Sequence, residues 1–342
     1  MSLKNLSVKN KIPKLLKNKL DNKKISQIYK RFEKFFKLKE PFAVAVSGGP
    51  DSLALAFLSK IYSIKFNLNS KFFIVDHKLR KESTKEAKLV QQILKKYLIN
   101  AEILTWQGKK PAKNIQSLAR KKRYKLLKTK CDKYKINNLL LGHQQDDLIE
   151  NFFIRIFRGS GLNGLTSLSL ESKTNQFNLL RPLLYEKKED LEFLSKYIFS
   201  FYVQDPSNED EKYQRIKIRK YINELDKKVL DKKKFVKTIK NLKNSNYLVN
   251  FYVNENLRKN MLFISEKNKS ILNKEFFSQP HEIILRSLSK QITLIGNKYY
   301  SVRGKKLDRI IDKIKNDGSL KLTLGGCIIE KVNQTVIITK EY

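Results

Sequence analysis

The chain has 342 residues, of which 41% are hydrophobic, which is room for packed cores in two domains or one large domain with an appendage. No apolar run reaches the roughly 18–20 residues that cross a bilayer, and two cysteines without a CxxC pair support neither a disulfide framework nor a thiolate zinc site. The 72 Lys and Arg outweigh 33 Asp and Glu, and the formal charge of +39 favours RNA as partner, although Lys over Arg with abundant Asn and Ile also fits an AT-rich coding bias.

In chain order, residues 1–24 read as a basic N-terminal arm, flexible or briefly helical. They lack an apolar signal-peptide core and a cleavage site, so the expected location is cytoplasmic, with reduced thiols and no membrane association. Ile25–Phe36 has amphipathic helical spacing, and Phe42–Val46 is a short apolar run suited to a strand buried on both faces. Between that strand and the helical pattern from Leu53 to Ile61 stands Ser47-Gly48-Gly49-Pro50-Asp51-Ser52. A strand-to-helix turn of this kind lies at the carboxyl edge of an α/β sheet, where ligands bind. Its glycines admit close backbone approach, and the helix N-terminus offers free N–H groups, which points to a phosphate. The competing reading is a plain N-capped turn. The spacing is neither Walker A nor GxGxxG.

Further strand runs follow at Phe72–Val75, Ala101–Thr105 and Leu139–Leu141, with helical patterns over 84–98 and 114–130 between them. Strand and helix in alternation predict a parallel, doubly wound sheet. Asp76, His77 and Arg80 would end the second strand, and Arg80 either neutralises phosphate or solvates the surface. On the helix after Asn114, Arg120, Lys121, Lys122 and Arg123 beside Tyr124 suit RNA backbone contact and stacking, or else form a solvated face. Gly142 ends a buried strand, so His143 to Asp147 should share the edge with the first turn. Asp147 and Glu150, three apart on one helix face, can hold a metal or an ammonium, or simply complement the helix dipole. His143 could donate to a phosphate oxygen or be a structural imidazole. Helices are expected over 145–157, 186–200 and 213–225, and Asp205–Asn208 as a turn. Beyond them, 226–280 reads as a helical linker and 281–342 as a small α+β C-terminal domain. Strand candidates there are Ile283–Leu285, Gln291–Ile295 and Lys298–Val302, a helix covers 303–316, and a hairpin turns near Val332–Gln334.

Taken in order, SGGPDS (47–52), DHKLRKES (76–83), NIQSLARKKRY (114–124), LGHQQDDLIENFFIRIFRGSGLNGL (141–165), RPLL (181–184) and DPSNEDEKYQRIKIR (205–219) resemble the tRNA(Ile)-lysidine synthetase family of N-type ATP pyrophosphatases, the PP-loop enzymes. LTLGGCIIE (322–330) resembles that family's C-terminal domain. The resemblance is dense over 25–225, which would be the PP-loop catalytic domain, and thin elsewhere; it makes 281–342 a tRNA-binding domain.

The resemblance implies ATP-dependent ligation of L-lysine to C2 of the wobble cytidine of tRNA(Ile) with a CAU anticodon, through an adenylated cytidine, with release of pyrophosphate and then AMP. It assigns Ser47, Gly48, Gly49, Pro50, Asp51 and Ser52 to ATP and pyrophosphate, and Asp51 with Glu150 to Mg²⁺. Asp147, Glu150 and His143 go to lysine binding and catalysis, and Arg215 to the reacting phosphate. Two positions depart from the family's usual pattern: Gln144 stands where GHHxDD has a second His, and Ile216 where Asn commonly follows the Arg. The alternatives are another PP-loop tRNA-modifying enzyme such as a thiolase, and a basic RNA-binding protein with a dead nucleotide site.

Overall fold

The structure is a computed structural model that describes residues 12–80, 82–108, 115–174, 177–203, 214–297, 302 and 304–341; the side chains of 115–117 and 226–228 fall outside the description. Residues 1–11 of the expected arm, Asn114, the Asp205–Asn208 turn and most of the Lys298–Val302 strand candidate lie outside the described residues. The chain divides into two units, Met1–Ile239 and Lys240–Tyr342.

The first unit is built on a six-stranded sheet. β1 (Phe42–Val46), β2 (Ser70–Asp76), β3 (Ala101–Thr105), β4 (Asn138–Leu140) and β6 (Asn178–Leu180) run parallel, and β5 (Glu171–Lys173) pairs antiparallel with β6 at one edge. The order is β3-β2-β1-β4-β6-β5. The chain winds outward from β1 to β3 and then returns to the other side of β1, so the switch in direction falls between β1 and β4. Alternate side chains of one strand serve opposite faces. Phe42, Val44, Phe72 and Ile74 pack with α1 (Lys14–Leu20), α2 (Lys23–Phe35), α3 (Pro50–Lys65), α4 (Ser83–Lys96) and α8 (Lys188–Phe199) in one core. Ala43, Phe73, Leu104 and Leu139 join Leu127 and Cys131 of α5 (Ile115–Lys133) in another. Such double coverage is why these strands read as continuous apolar runs.

Of the two forms expected for the basic N-terminal stretch, residues 14–20 take the briefly helical one, and they are packed rather than loose. Leu16 on α1 and Ile25 at the start of α2 are fully buried, and burial of two aliphatic side chains outweighs the basic surroundings that make this stretch look solvated.

The first unit is completed by α6 (Gln145–Ile156), α7 (Leu162–Leu165) and α9 (Gln214–Lys228), and the long α10 (Lys232–Asn260) carries the chain onward. In the second unit β7 (Met261–Ile264), β8 (Lys269–Leu272), β9 (Leu320–Leu324), β10 (Cys327–Val332) and β11 (Thr335–Lys340) form an antiparallel sheet ordered β7-β8-β11-β10-β9. The stretch read as a helical linker therefore supplies two strands of this sheet, with Leu272 of β8 fully buried. The strand candidates Ile283–Leu285 and Gln291–Ile295 are instead one helix, α11 (His281–Ile295), which packs with α12 (Gly304–Asn316) in the same core. Its buried Ile284, Leu288, Ile292 and Ile295 recur at helical spacing, a stripe that two short β-branched runs disguise.

Candidate active site

Both glycine-bearing turns leave the carboxyl edge of neighbouring strands at the switch point, the crevice where open α/β sheets take ligands. After β1, Gly48 has φ +87°, and a Cβ there would stand 2.8 Å from Val90 Cγ2 and 2.9 Å from Val203 Cγ2. Its carbonyl accepts from Val203 N at 2.9 Å. Gly49 is the N-cap of α3 without a side-chain cap, and Pro50 opens the helix. Ser52 Oγ accepts from Ser47 N at 3.1 Å and donates to Gly49 O at 2.9 Å, while Ser47 Oγ donates to it at 3.2 Å. The hydroxyls thus knit the turn, and the first-turn N–H groups of α3 have no partner within the helix and no side-chain cap, an arrangement that suits an anion.

Gly142, after β4, fastens the second loop to the first. A Cβ at that position would lie 3.1 Å from the carbonyl carbon and oxygen of Asp51 and 3.1 Å from Ser52 Cα. Gln144 then caps α6: its Oε1 accepts from Asp146 N at 2.6 Å, and Asp147 Oδ2 accepts from Gln144 N at 3.1 Å, a reciprocal capping box. The residue that departs from the double-His pattern is therefore a buried helix cap.

Glu150, only 1% exposed, is the acidic centre of the edge. Its Oε2 accepts from Arg215 Nε at 2.7 Å and its Oε1 from Arg219 Nε at 2.5 Å, while Arg215 also donates to Asp147 Oδ1. Both Glu150 oxygens are thus engaged by guanidinium groups, and among the described residues no group of three or more His, Cys, Asp or Glu gathers as a metal site. Asp51 differs. Its Oδ1 is buried without a hydrogen-bond partner, and burial, followed by the neighbouring Asp147 carboxylate, pushes its pKa up to about 7. Lys188 opposes that shift.

His143 sits at the same edge with a buried, unpartnered Nδ1. Burial, then the charges of Arg181, Arg215, Arg120 and Arg123, pull its pKa down to about 3, so the imidazole is neutral throughout the physiological range. Arg120 and Arg123 of α5 thus lie within electrostatic reach of the edge, and all four cations, Arg120, Lys121, Lys122 and Arg123, are exposed on that helix. The Arg120 guanidinium stands 5.1 Å from the Tyr124 ring centroid and donates to its hydroxyl at 3.2 Å. Arg123 Nε donates to His77 Nε2 at 3.1 Å.

The motif after β2 is largely structural. Asp76 accepts from Lys78 N, Ser83 Oγ and Thr84 Oγ1; although burial acts against them, these hydrogen bonds hold its pKa below the ordinary value. Arg80 pairs with Glu86 at 2.9 Å. Reasoning from sequence missed Arg219 and Arg181, and it placed Gly142 at the strand end without its packing against the first turn. The i, i+4 spacing of Arg219 from Arg215 was a readable signal, since both then share one helix face; Arg181 gave none beyond its place in RPLL.

The PP-loop domain family matches residues 18–225 of the chain. The tRNA(Ile)-lysidine synthase of Wolbachia pipientis wMel is 34% identical over 306 residues, covering 87% of this chain and 70% of that protein. That of Orientia tsutsugamushi (strain Boryong) is 33% identical over 318 residues, 90% of this chain and 71% of its own. Among solved structures, the U34-tRNA thiolase NcsA from Methanococcus maripaludis aligns with a TM-score of 0.54 at 18% identity, over 64% of this chain and 78% of that one. That likeness shows a shared fold and nothing finer.

Proposed function

The chain belongs to the PP-loop domain family and, within it, to the tRNA(Ile)-lysidine synthases, and from that premise we propose how its residues carry out an ATP-dependent ligation on tRNA. The reaction joins the ε-amine of lysine to C2 of the wobble cytidine of a tRNA(Ile) with a CAU anticodon. Cytosine O2 attacks the α-phosphorus of ATP, the bond to the bridging β-oxygen breaks, and pyrophosphate leaves. The uncharged amine then attacks C2, the C2–O2 bond breaks, AMP departs with the oxygen, and the surplus amine proton passes to a carboxylate or water. Adenylation is needed because the unmodified ring oxygen is a very poor leaving group.

One observation carries this reading: a Cβ on Gly142 would stand only 3.1 Å from the Asp51–Ser52 backbone, so the two turns are packed together and the phosphate turn and the acidic helix open onto one crevice. The N–H groups of the first turn of α3 and the Ser47–Ser52 turn hold the departing pyrophosphate. Asp51 fits a Mg²⁺ ligand, because an orphaned, buried carboxylate oxygen suits a hard cation. When bound, that ion supplies positive charge against the phosphates. Asp147 and Glu150 receive the lysine ammonium in exchange for Arg215, which then turns its guanidinium to the reacting phosphate. Neutral His143 serves as a hydrogen-bonding group rather than a fixed charge. The exposed cations of α5 take the RNA backbone.

The thiolase alternative calls for paired reactive sulfurs. The chain's two cysteines are both buried. Burial, then Asp132, pushes the Cys131 thiol up to about 12, and Cys327 lies in the core of the second unit. The test is incubation with ATP, Mg²⁺, labelled lysine and a CAU-bearing tRNA(Ile). Label entering the RNA, with AMP and pyrophosphate released in equal amount, is expected; intact ATP and unlabelled RNA would overturn the reading.

A further inference from the structure

The arginines at the catalytic edge fall into two sets. Arg215 and Arg219 are met by Asp147 and Glu150, two cations against two carboxylates. Arg181, Arg120 and Arg123 are not: among the described residues no carboxylate pairs with any of them. Arg181 is the sharpest case. It leaves β6 at the carboxyl edge, is 6% exposed, and donates through Nη1 to Ser169 O at 3.0 Å and Ser172 Oγ at 2.9 Å. Its Nε is buried and has no partner. A guanidinium cannot shed its proton, and leaving one of its donors unmet inside the protein costs free energy that a bound anion would recover. His143 offers no compensating charge, being neutral, and it lies under the field of all three.

We infer that Arg181, with Arg120 of α5 beside it, forms a second phosphate seat that takes a phosphodiester of the tRNA beside the nucleotide being modified. This rests on the tRNA-ligase reading above. Three features favour an RNA phosphate over a phosphate of ATP. Arg181 lies past β4, directly after β6, while the PP-loop with its free helix donors lies on β1. A nucleotide seated at His143 between them brings its own backbone phosphate to the β6 side. Tyr124, half-buried under the Arg120 guanidinium, adds an aromatic surface of the kind that accompanies unstacked RNA bases. Arg181 itself is anchored rather than exposed, since the Ser169 carbonyl and Ser172 Oγ both hold its Nη1.

The experiment measures binding of CAU-bearing tRNA(Ile) without ATP or lysine, across a KCl series, for the wild-type chain and Arg181→Gln. The expected result is an affinity lower by about tenfold or more, as for loss of a charged hydrogen bond, and a log–log salt slope shallower by about one. Affinity for an ATP analogue with a methylene α–β bridge, measured without tRNA, stays unchanged. Because a buried substitution can unfold the chain, a second arm keeps the wild-type protein and replaces single phosphodiesters flanking the target cytidine by neutral methylphosphonates. One such position should reproduce the loss, and combining it with Arg181→Gln should add nothing. Unaltered tRNA affinity in both arms would overturn the seat, as would a loss confined to the ATP analogue. Lysine incorporation by the wild-type protein is run alongside: incorporation with an indifferent Arg181 sinks this inference alone, and absence of incorporation sinks the function reading instead.

Discussion

At the scale of single residues, the site is held by contacts too close for a side chain and by one carboxyl group that the fold leaves alone. Gly142 has backbone for a neighbour on its Cβ side, so Gly142→Ala must part the two loops rather than push a flexible side chain aside. We expect it to cost about 1–3 kcal/mol in denaturant unfolding and to abolish ATP-dependent lysine incorporation, while tRNA affinity changes little. Asp51 gives a prediction with a definite sign. Its folded pKa of about 7 lies above the ordinary 3.8, so the unfolded chain releases this proton first as pH rises. Stability contributed by this group is therefore greatest below pH 4, falls between about 4 and 7, and is flat above. Asp51→Asn does not titrate. In EDTA its melting temperature should match the wild type near pH 4 and exceed it by several degrees at pH 8, with activity gone. Added Mg²⁺ should close the gap by stabilising only the wild type; a gap indifferent to pH would remove the burial argument.

At the scale of elements, α9 acts as a brace across α6. Arg219→Ala leaves Glu150 buried with one oxygen unmet, and since Arg219 itself is partly exposed the expected loss is about 1–2 kcal/mol rather than the full penalty of a buried pair. In a Glu150→Gln background the same change should cost less than half as much; equal costs in both backgrounds would deny the coupling. Elements of this kind divide cleanly into those that were legible and those that were not. The inner strands β1, β2 and β4 were legible because their apolar runs are buried on both faces, and the edge strand β3 through the shorter run Ile103–Leu104. The two glycine turns were legible because ligand chemistry restricts residue type there. The brace was only half legible: Arg215 came through the family resemblance, but the ion pairs that bind it to Glu150 join positions 65 residues apart, which no local pattern reports. β5 and β6 span three residues each, too short for any periodicity. α11 misled because Ile283–Leu285 and Gln291–Ile295 each look like a strand when read alone, and only their joint spacing shows the stripe that packs against the second sheet. The packing of residues 14–24 was not legible for a different reason: Lys and Asn dominate the composition, and the single deep anchor, Leu16, is one residue in eleven.

At the scale of the whole molecule, the question is how much of the +39 charge serves binding and how much is compositional. The arrangement suggests that position matters more than total. Exposed cations at the carboxyl edge of the sheet, where α5 begins, stand near the site, whereas α4 runs back against the strands and ends with exposed Lys95 and Lys96 at the opposite edge. Counterion release makes affinity for RNA fall with salt in proportion to the phosphates contacted, about 0.7–0.9 of a logarithmic unit for each. Reversing two charges that touch phosphates should therefore flatten the salt slope by nearly two, and reversing two that merely add to the field should shift affinity slightly while leaving the slope in place. We expect Arg120→Glu with Arg123→Glu to behave in the first way, and Lys95→Glu with Lys96→Glu in the second, although both pairs change the net charge equally. Filter binding of tRNA(Ile) between low and physiological KCl reads both quantities at once. Were the two pairs to give the same slope, the basic character of this chain would be a diffuse property of its composition, and the edge would hold no privileged place in RNA recognition.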